Sequence, residues 1–257
     1  MEANYQNVTS AKLCTTLENA YGTKVSTVEH LLAALYIADI DNAFVEINTA
    51  EVPIMDGSAK DFLEIFKNTK IKILSEKRNF LEVLEKIEFV DGERKISLEP
   101  NDKTLEVEFQ LNYENKVIGK QKNIVNFNKD KVDDVSISRT FCLYEDIEKI
   151  KNAGLARGGS LDNAVVVDKD KVLNQGGLRN DKEFVNHKIL DLVGDFMLSG
   201  IRILGKVNCY QGGHQLTNMF LRKLFKNPNN YSIKNFENKT IQKEKNINQN
   251  IQLAVNA

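Results

Sequence analysis

The stretch "VNHKILDLVGDF" (185–196) constrains the fold more than any other part of this chain. It reads as one helix, and it places His187, Asp191 and Asp195 at steps of four, so the three stack on a single face. Leu190, Val193, Gly194 and Met197 read as core positions around them. A stripe of titratable groups beside a core face needs partners, because an unpaired buried charge is costly. The competing reading is a solvated helix face with ordinary acids, which is where acids usually sit.

The rest of the sequence narrows the options. Its 257 residues allow one large domain or two small ones. A hydrophobic share of 42% and a charged share of 28% are ordinary for a soluble globular protein. No apolar run is long enough to span a membrane. The opening "MEANYQNVTS" lacks the basic-then-apolar order of a secretory signal. With 35 basic and 36 acidic residues the net charge is −1, which argues against generic nucleic-acid binding. Cys14, Cys142 and Cys209 are odd in number and far apart, so neither a disulfide framework nor a CxxC metal pair is implied, and a reducing cytoplasm is expected. There are only three histidines, His30, His187 and His214. Any metal or acid–base site must draw its histidines from this set.

The pattern predicts α+β layers, with helices packed on sheets. Residues 1–77 read as helix, helix, strand, helix. "SAKLCTTLENAYG" has helical apolar spacing and ends in Gly22 as a C-cap. "STVEHLLAAL" starts with Ser26 or Thr27 as N-cap, with Glu29 completing a capping box. "NAFVEINTA" alternates as a strand, "VPIMDGSA" is a loop, and "AKDFLEIFKN" is a short amphipathic helix. A domain boundary is expected near residue 78. Beyond it come alternating runs around an Asp91-Gly92 hairpin, two further strands over 103–127, and a helix over 145–153. The glycine-rich "GLARGGSLDNAVVV" follows, then a long helix over 182–199, the strand "IRILGKVNCY" and a last helix opened by "GGHQLTNMFLRKLF". Much of the Asn/Lys/Gln-rich tail after Asn227 is expected to be loose until "IQLAVNA".

A catalytic zinc takes three protein ligands and keeps one position open for water. His187 and Asp191, four apart on a helix, suit one ion, and His30 is the candidate third ligand. Consecutive helical side chains diverge by roughly 100°, so Glu29 can stand beside such a site without ligating, where a general base belongs. His30 also reads as an ordinary packing residue of an amphipathic helix. His214, after two glycines at the entrance to a helix, can donate a proton if something raises its pKa, and Asp195 is the candidate partner. Equally, His214 reads as an exposed loop residue.

The chain resembles the zinc-dependent UDP-3-O-acyl-N-acetylglucosamine deacetylases of lipid A biosynthesis. Six separated blocks carry the likeness: "STVEHLLAAL", "EVPIMDGSA", "ISRTFCLYEDIE", "GLARGGSLDNAVVVD", "LNQGGLRNDKEFVNHKILDLVGDF" and "QGGHQLTN". The resemblance implies His30, His187 and Asp191 as zinc ligands, Glu29 as general base, and His214 as the acid–base histidine oriented by Asp195. It implies Thr140 at the oxyanion, Lys188 facing substrate and Phe141 lining the sugar or acyl region. It implies two similar α+β domains, 1–77 and 78–257, each a sheet layered on helices, with the site between them. A β-α-β insert around 142–166 would form an apolar passage for the acyl chain. The substrate would be a UDP-sugar lipid precursor, handled by a cytoplasmic monomer with no nucleic-acid partner and no membrane span.

Two departures from the family pattern stand out. The family's opening strand-rich segment has no counterpart here, so the first domain is expected to be incomplete. Gln211 stands before "GGH" where relatives often carry a basic residue. Near "LNYEN", Tyr113 is the candidate ring for uridine stacking. Two other readings remain: an inactive or partner-dependent metal-binding relative, and a non-haem iron oxygenase with the same two-His, one-carboxylate set. Glu29 and His214 have no evident role in the latter.

Overall fold

A computed structural model describes residues 1–236, apart from 102, 129, 153, 155 and 157. The chain runs through β1 (Val8–Ser10), β2 (Thr16–Glu18), β3 (Lys24–Val25), α1 (Glu29–Ile37) and α2 (Lys60–Lys67). Strands β4 (Arg78–Val83), β5 (Ile87–Asp91), β6 (Arg94–Glu99), β7 (Leu105–Asn112) and β8 (Lys120–Asn126) follow. Next come α3 (Asp133–Ser136), β9 (Phe141–Leu143), α4 (Ile147–Asn152), β10 (Val165–Asp168) and β11 (Lys171–Val172). The chain continues with α5 (Glu183–Met197), β12 (Arg202–Tyr210), α6 (His214–Lys226) and β13 (Tyr231–Phe236). The architecture is α+β.

The main sheet has seven strands. Its centre is β12, which pairs parallel with β4 and β7 and antiparallel with β6. Hairpins extend it: β5 with β6 around Gly92, and β7 with β8. Strand β7 shows why these residues form a sheet. Leu105, Val107, Phe109 and Leu111 are buried, while the residues between them lie half-buried on the other face. A small sheet of β1, β2 and β3 forms separately near the N-terminus. A third pairs β9 parallel with β10, across α4, and adds β11.

Helix α5 is the axis of the molecule. Thirteen of its 15 residues are buried. Phe184, Val185, Ile189, Leu190, Leu192, Val193 and Phe196 surround it with apolar side chains, the pattern of a helix enclosed on all sides. It packs against β7, β8 and β12 and against α1, α3 and α6. The solvated-face reading of the His187, Asp191 and Asp195 stripe is therefore wrong, since all three are buried.

Three expectations about elements fail. Residues 10–22 form strands, not a helix. Leu13 sits at φ 67 and is exposed, Leu17 faces the core from β2, and Gly22 (φ 79) closes the β2–β3 loop. The Asn19 side chain accepts the Tyr21 and Thr23 N–H groups there, the local side-chain bonding that displaces helix. Residues 42–50 form no strand. Phe44 and Val45 are exposed, and the segment's only ladder contact among the described residues is a parallel bridge of Ser26 to Glu51 just past its end. Alternation makes a strand only where a neighbour supplies hydrogen bonds. Helix α1 is not capped by Ser26 or Thr27. Its N-cap is Val28, and Glu29 is bonded elsewhere. Within the tail after Asn227, β13 pairs antiparallel with β4. Residues 237–257, including "IQLAVNA", lie outside the described residues.

Candidate active site

Helices α1 and α5 touch at Gly194. A Cβ there would lie 2.1 Å from the Glu29 carbonyl oxygen, so only glycine allows the backbones this close. The contact brings Glu29 and His30, at the start of α1, against the stripe on α5. His30 Nε2 lies 3.5 Å and His187 Nε2 3.3 Å from Asp191 Oδ1. One ligand atom from each of the three residues falls within 4.8 Å of the others.

The surroundings fit a cation. Asp191 Oδ1 is buried and accepts no hydrogen bond, a costly state for a carboxylate oxygen unless a positive centre sits there. The Ser138 carbonyl accepts from His187 Nδ1 at 3.1 Å, which leaves Nε2 with its lone pair toward Asp191. Burial pushes the His187 pKa down to about 3, keeping the imidazole neutral, the form a metal needs. Lys188 Nζ donates to Asp191 Oδ2 at 2.7 Å and lies 5.5 Å from the Phe141 ring centroid. Burial works against the Lys188 charge, and Asp191 overrides it. Burial likewise works against the Asp191 charge, but His187 and Lys188 hold its carboxyl well below the usual range.

A second cluster adjoins the first. His214 Nδ1 donates to Asp195 Oδ2 at 2.8 Å, and its Nε2 lies 3.7 Å from Glu29 Oε1 and 3.9 Å from Asp191 Oδ2. Burial opposes the His214 charge, but Asp195, Glu29 and Asp191 outweigh it and its pKa is pushed up to about 10. Burial raises the Glu29 carboxyl above its ordinary value, against the pull of His214 and His30. His214 is thus no exposed loop residue. It is the first residue of α6, buried among three carboxylates.

The segment 138–141 borders the triad. The Thr140 N–H donates to Gly57 O at 2.8 Å and its carbonyl accepts from Val165 N at 2.7 Å, so its backbone is pinned between the 53–59 loop and β10. The Phe141 ring lies edge-on to His187, Phe184 and Tyr113. Gln211, at φ 53, is turned to the β7 end: its side chain accepts from Asn112 N at 3.0 Å and donates to Asn112 O.

Four residues absent from the sequence reading help build the site. Thr15 N donates to Glu29 Oε2 at 3.1 Å and Thr15 Oγ1 donates to Asp195 Oδ1 at 2.7 Å. Ser138 orients His187. Arg139 forms a buried ion pair with Glu183, which also accepts the Arg139 and Arg179 backbone N–H groups, fixing the segment to the start of α5. Ser138 and Arg139 lie in "ISRTFCLYEDIE" and Glu183 in "LNQGGLRNDKEFVNHKILDLVGDF", two of the family-like blocks. Thr15 lay in a segment read as helix, and nothing local marked it.

In chemical class this is a buried two-His, one-Asp cluster that could hold a metal ion, beside a buried histidine–carboxylate pair, in an α+β fold and suited to hydrolysis. The model of the UDP-3-O-acyl N-acetylglycosamine deacetylase family matches residues 1–226. The chain is 41% identical over 244 residues to the UDP-3-O-acyl-N-acetylglucosamine deacetylase of Geotalea uraniireducens (strain Rf4), covering 93% of this chain and 79% of that one. It is 40% identical over 226 residues to the enzyme of that name from Pseudoalteromonas translucida (strain TAC 125), covering 87% and 74%. With the one from Histophilus somni (strain 129Pt) the figures are 39% over 240 residues, 92% and 78%. The chain belongs to this family of deacetylases. Among the described residues, no helix is long and apolar enough to cross a membrane.

Proposed function

We propose that this protein hydrolyses the acetamide of UDP-3-O-acyl-N-acetylglucosamine, releasing acetate and UDP-3-O-acyl-glucosamine, the committed step of lipid A biosynthesis. The observation that carries the reading is the buried His30, His187 and Asp191 set with an orphaned carboxylate oxygen, flanked by Glu29 and the His214–Asp195 pair.

His30, His187 and Asp191 hold zinc, which when bound supplies a water acidified toward neutrality and a Lewis acid for the carbonyl. Glu29 takes the proton of the attacking water. Its Oε1 serves, because Oε2 already accepts the Thr15 N–H. His214 Nε2 gives a proton to the departing amine nitrogen, since Nδ1 is committed to Asp195. Thr140 stabilises the oxyanion, where a fixed donor is most effective. Lys188 faces the substrate with its ammonium anchored by Asp191, and Phe141 lines the sugar and acyl region. The acyl chain runs along the β9–α4–β10 insert, and Tyr113 stacks on uridine. Gln211, tied to Asn112, leaves the nucleotide phosphates to other groups.

We further read the chain as two α+β units meeting near residue 78, with the site between them. In support, α1 brings Glu29 and His30 from the first, while α5, α6 and the 138–141 segment bring the remainder from the second. We read the protein as a monomer, and the three free cysteines suit the cytoplasm.

The test is metal analysis of protein purified without added metal, together with acetate release from UDP-3-O-acyl-N-acetylglucosamine. About one zinc per chain and turnover are expected. Iron in place of zinc, or a zinc-loaded protein that releases no acetate, overturns the reading.

A further inference from the structure

Among the buried polar residues that the mechanism does not use, Thr15 bonds to two of the carboxylates that it does use. Thr15 precedes β2, is only 2% exposed, and has every polar atom engaged. Its N–H donates to Glu29 Oε2 at 3.1 Å, its carbonyl accepts from Val28 N at 3.5 Å, and its hydroxyl donates to Asp195 Oδ1 at 2.7 Å. One residue thus grips the carboxylate beside the metal ligands and the carboxylate behind His214.

The geometry gives each bond a different task. Asp195 uses one oxygen for Thr15 and the other for His214 Nδ1. A carboxylate with both oxygens claimed has its torsion fixed, so the imidazole it holds is fixed as well. Without the hydroxyl, Oδ1 is buried without that donor and Asp195 is free to rotate, carrying His214 Nε2 off its line to the reacting nitrogen. The Glu29 bond comes from the backbone, so it survives any side-chain change at position 15.

We propose that Thr15 is a positioning residue for proton delivery to the leaving amine, acting through Asp195 on His214 while its backbone holds Glu29. The proposal rests on the deacetylase reading for its kinetic arm and stands apart from it in its spectroscopic arm.

The experiment uses the zinc-loaded full chain. Thr15→Val keeps the shape and removes the hydroxyl, whereas Thr15→Ser keeps the hydroxyl. Proper proton delivery is worth about 10²–10⁴-fold, so partial misalignment is expected to lower kcat in Thr15→Val by roughly 10–100-fold, with KM and zinc content unchanged. Thr15→Ser restores kcat to within a few-fold. In a His214→Ala background Thr15→Val costs nothing more, because the hydroxyl acts only through that imidazole.

The second arm needs no turnover. The proton on His214 Nδ1, bonded to Asp195, gives a downfield proton NMR resonance that is expected to persist in Thr15→Ser and to broaden or move upfield in Thr15→Val. If Thr15→Val does not fold, Thr15→Ala against Thr15→Ser isolates the hydroxyl, since both lack the methyl. The proposal is overturned by an undiminished kcat in Thr15→Val, by an equal loss in Thr15→Ser, by a further loss in the His214→Ala background, or by an unmoved resonance. A wild-type chain that fails to turn over sinks the deacetylase reading instead, and the resonance then decides the role of Thr15.

Discussion

Gly194→Ala tests how the site is assembled. On an exposed helix this change stabilises by about 1 kcal/mol, because alanine loses less backbone entropy. Here the new Cβ would stand 2.1 Å from the Glu29 carbonyl oxygen, 2.9 Å from its carbon and 3.2 Å from Ala33 N. All three are backbone atoms of the α1 segment, so no side chain can swing aside. Restoring ordinary contact requires moving α1 from α5 by about 1 Å, and overpacking of this kind costs about 1–3 kcal/mol. Set against the helix-propensity gain, the net loss is about 0–2 kcal/mol, or a fall in Tm of up to roughly 8 °C for a chain of this size. The kinetic penalty is larger. His30 and Glu29 move with α1 while His187, Asp191 and Asp195 stay with α5, and a misplacement of about 1 Å costs roughly 10²-fold in rate. The assays are thermal melting, zinc affinity by competition with a chelator, and kcat. A Gly194→Ala protein with raised Tm and full kcat would show that the two helices do not meet at this contact, and the account of how Glu29 reaches the triad would fall with it.

His187→Ala is expected to lose zinc and activity together, whereas Glu29→Ala keeps zinc and loses about 10²–10⁴ in kcat; zinc lost from Glu29→Ala would remove the base assignment. The kcat/KM profile should be bell-shaped, its acid limb set by ionisation of Glu29, which burial holds above its ordinary value, and its basic limb by loss of the His214 proton toward about 10, the two belonging to one coupled system. His214→Ala should abolish the basic limb, and a basic limb that survives there removes His214 as the acid. Glu183→Gln breaks the buried pair with Arg139 and should lower unfolding stability by about 3–5 kcal/mol in denaturant titration; a loss below about 1 kcal/mol would mean the 138–141 segment is held by other contacts.

Much of this was legible in the residues themselves. The step of four between His187, Asp191 and Asp195 is a property of helix geometry, so a shared face followed as soon as 185–196 was read as helix. With only three histidines in the chain, any histidine-based site had to use them. The β5–β6 hairpin, the alternating strand β7 and helices α2, α5 and α6 follow from local period and turn chemistry. Elsewhere local pattern misled. Residues 10–22 have helical apolar spacing but lie in strands and a turn, and 42–50 alternate without pairing, because pairing is decided by neighbours distant in sequence.

What the sequence by itself determined was the inventory and its local spacing: which ligand types exist, which share a helix face, and where helix and hairpin signals fall. Only the tertiary structure decided that the face is enclosed, because burial of α5 depends on sheet strands and helices far along the chain. It alone set α1 against α5 at Gly194, which brings Glu29 and His30 beside the buried stripe of His187, Asp191 and Asp195. It alone placed Thr15 between two carboxylates that lie 14 and 180 residues away. A hydrogen bond across such a span leaves no periodic trace in the chain, since its geometry exists only after the intervening elements have packed.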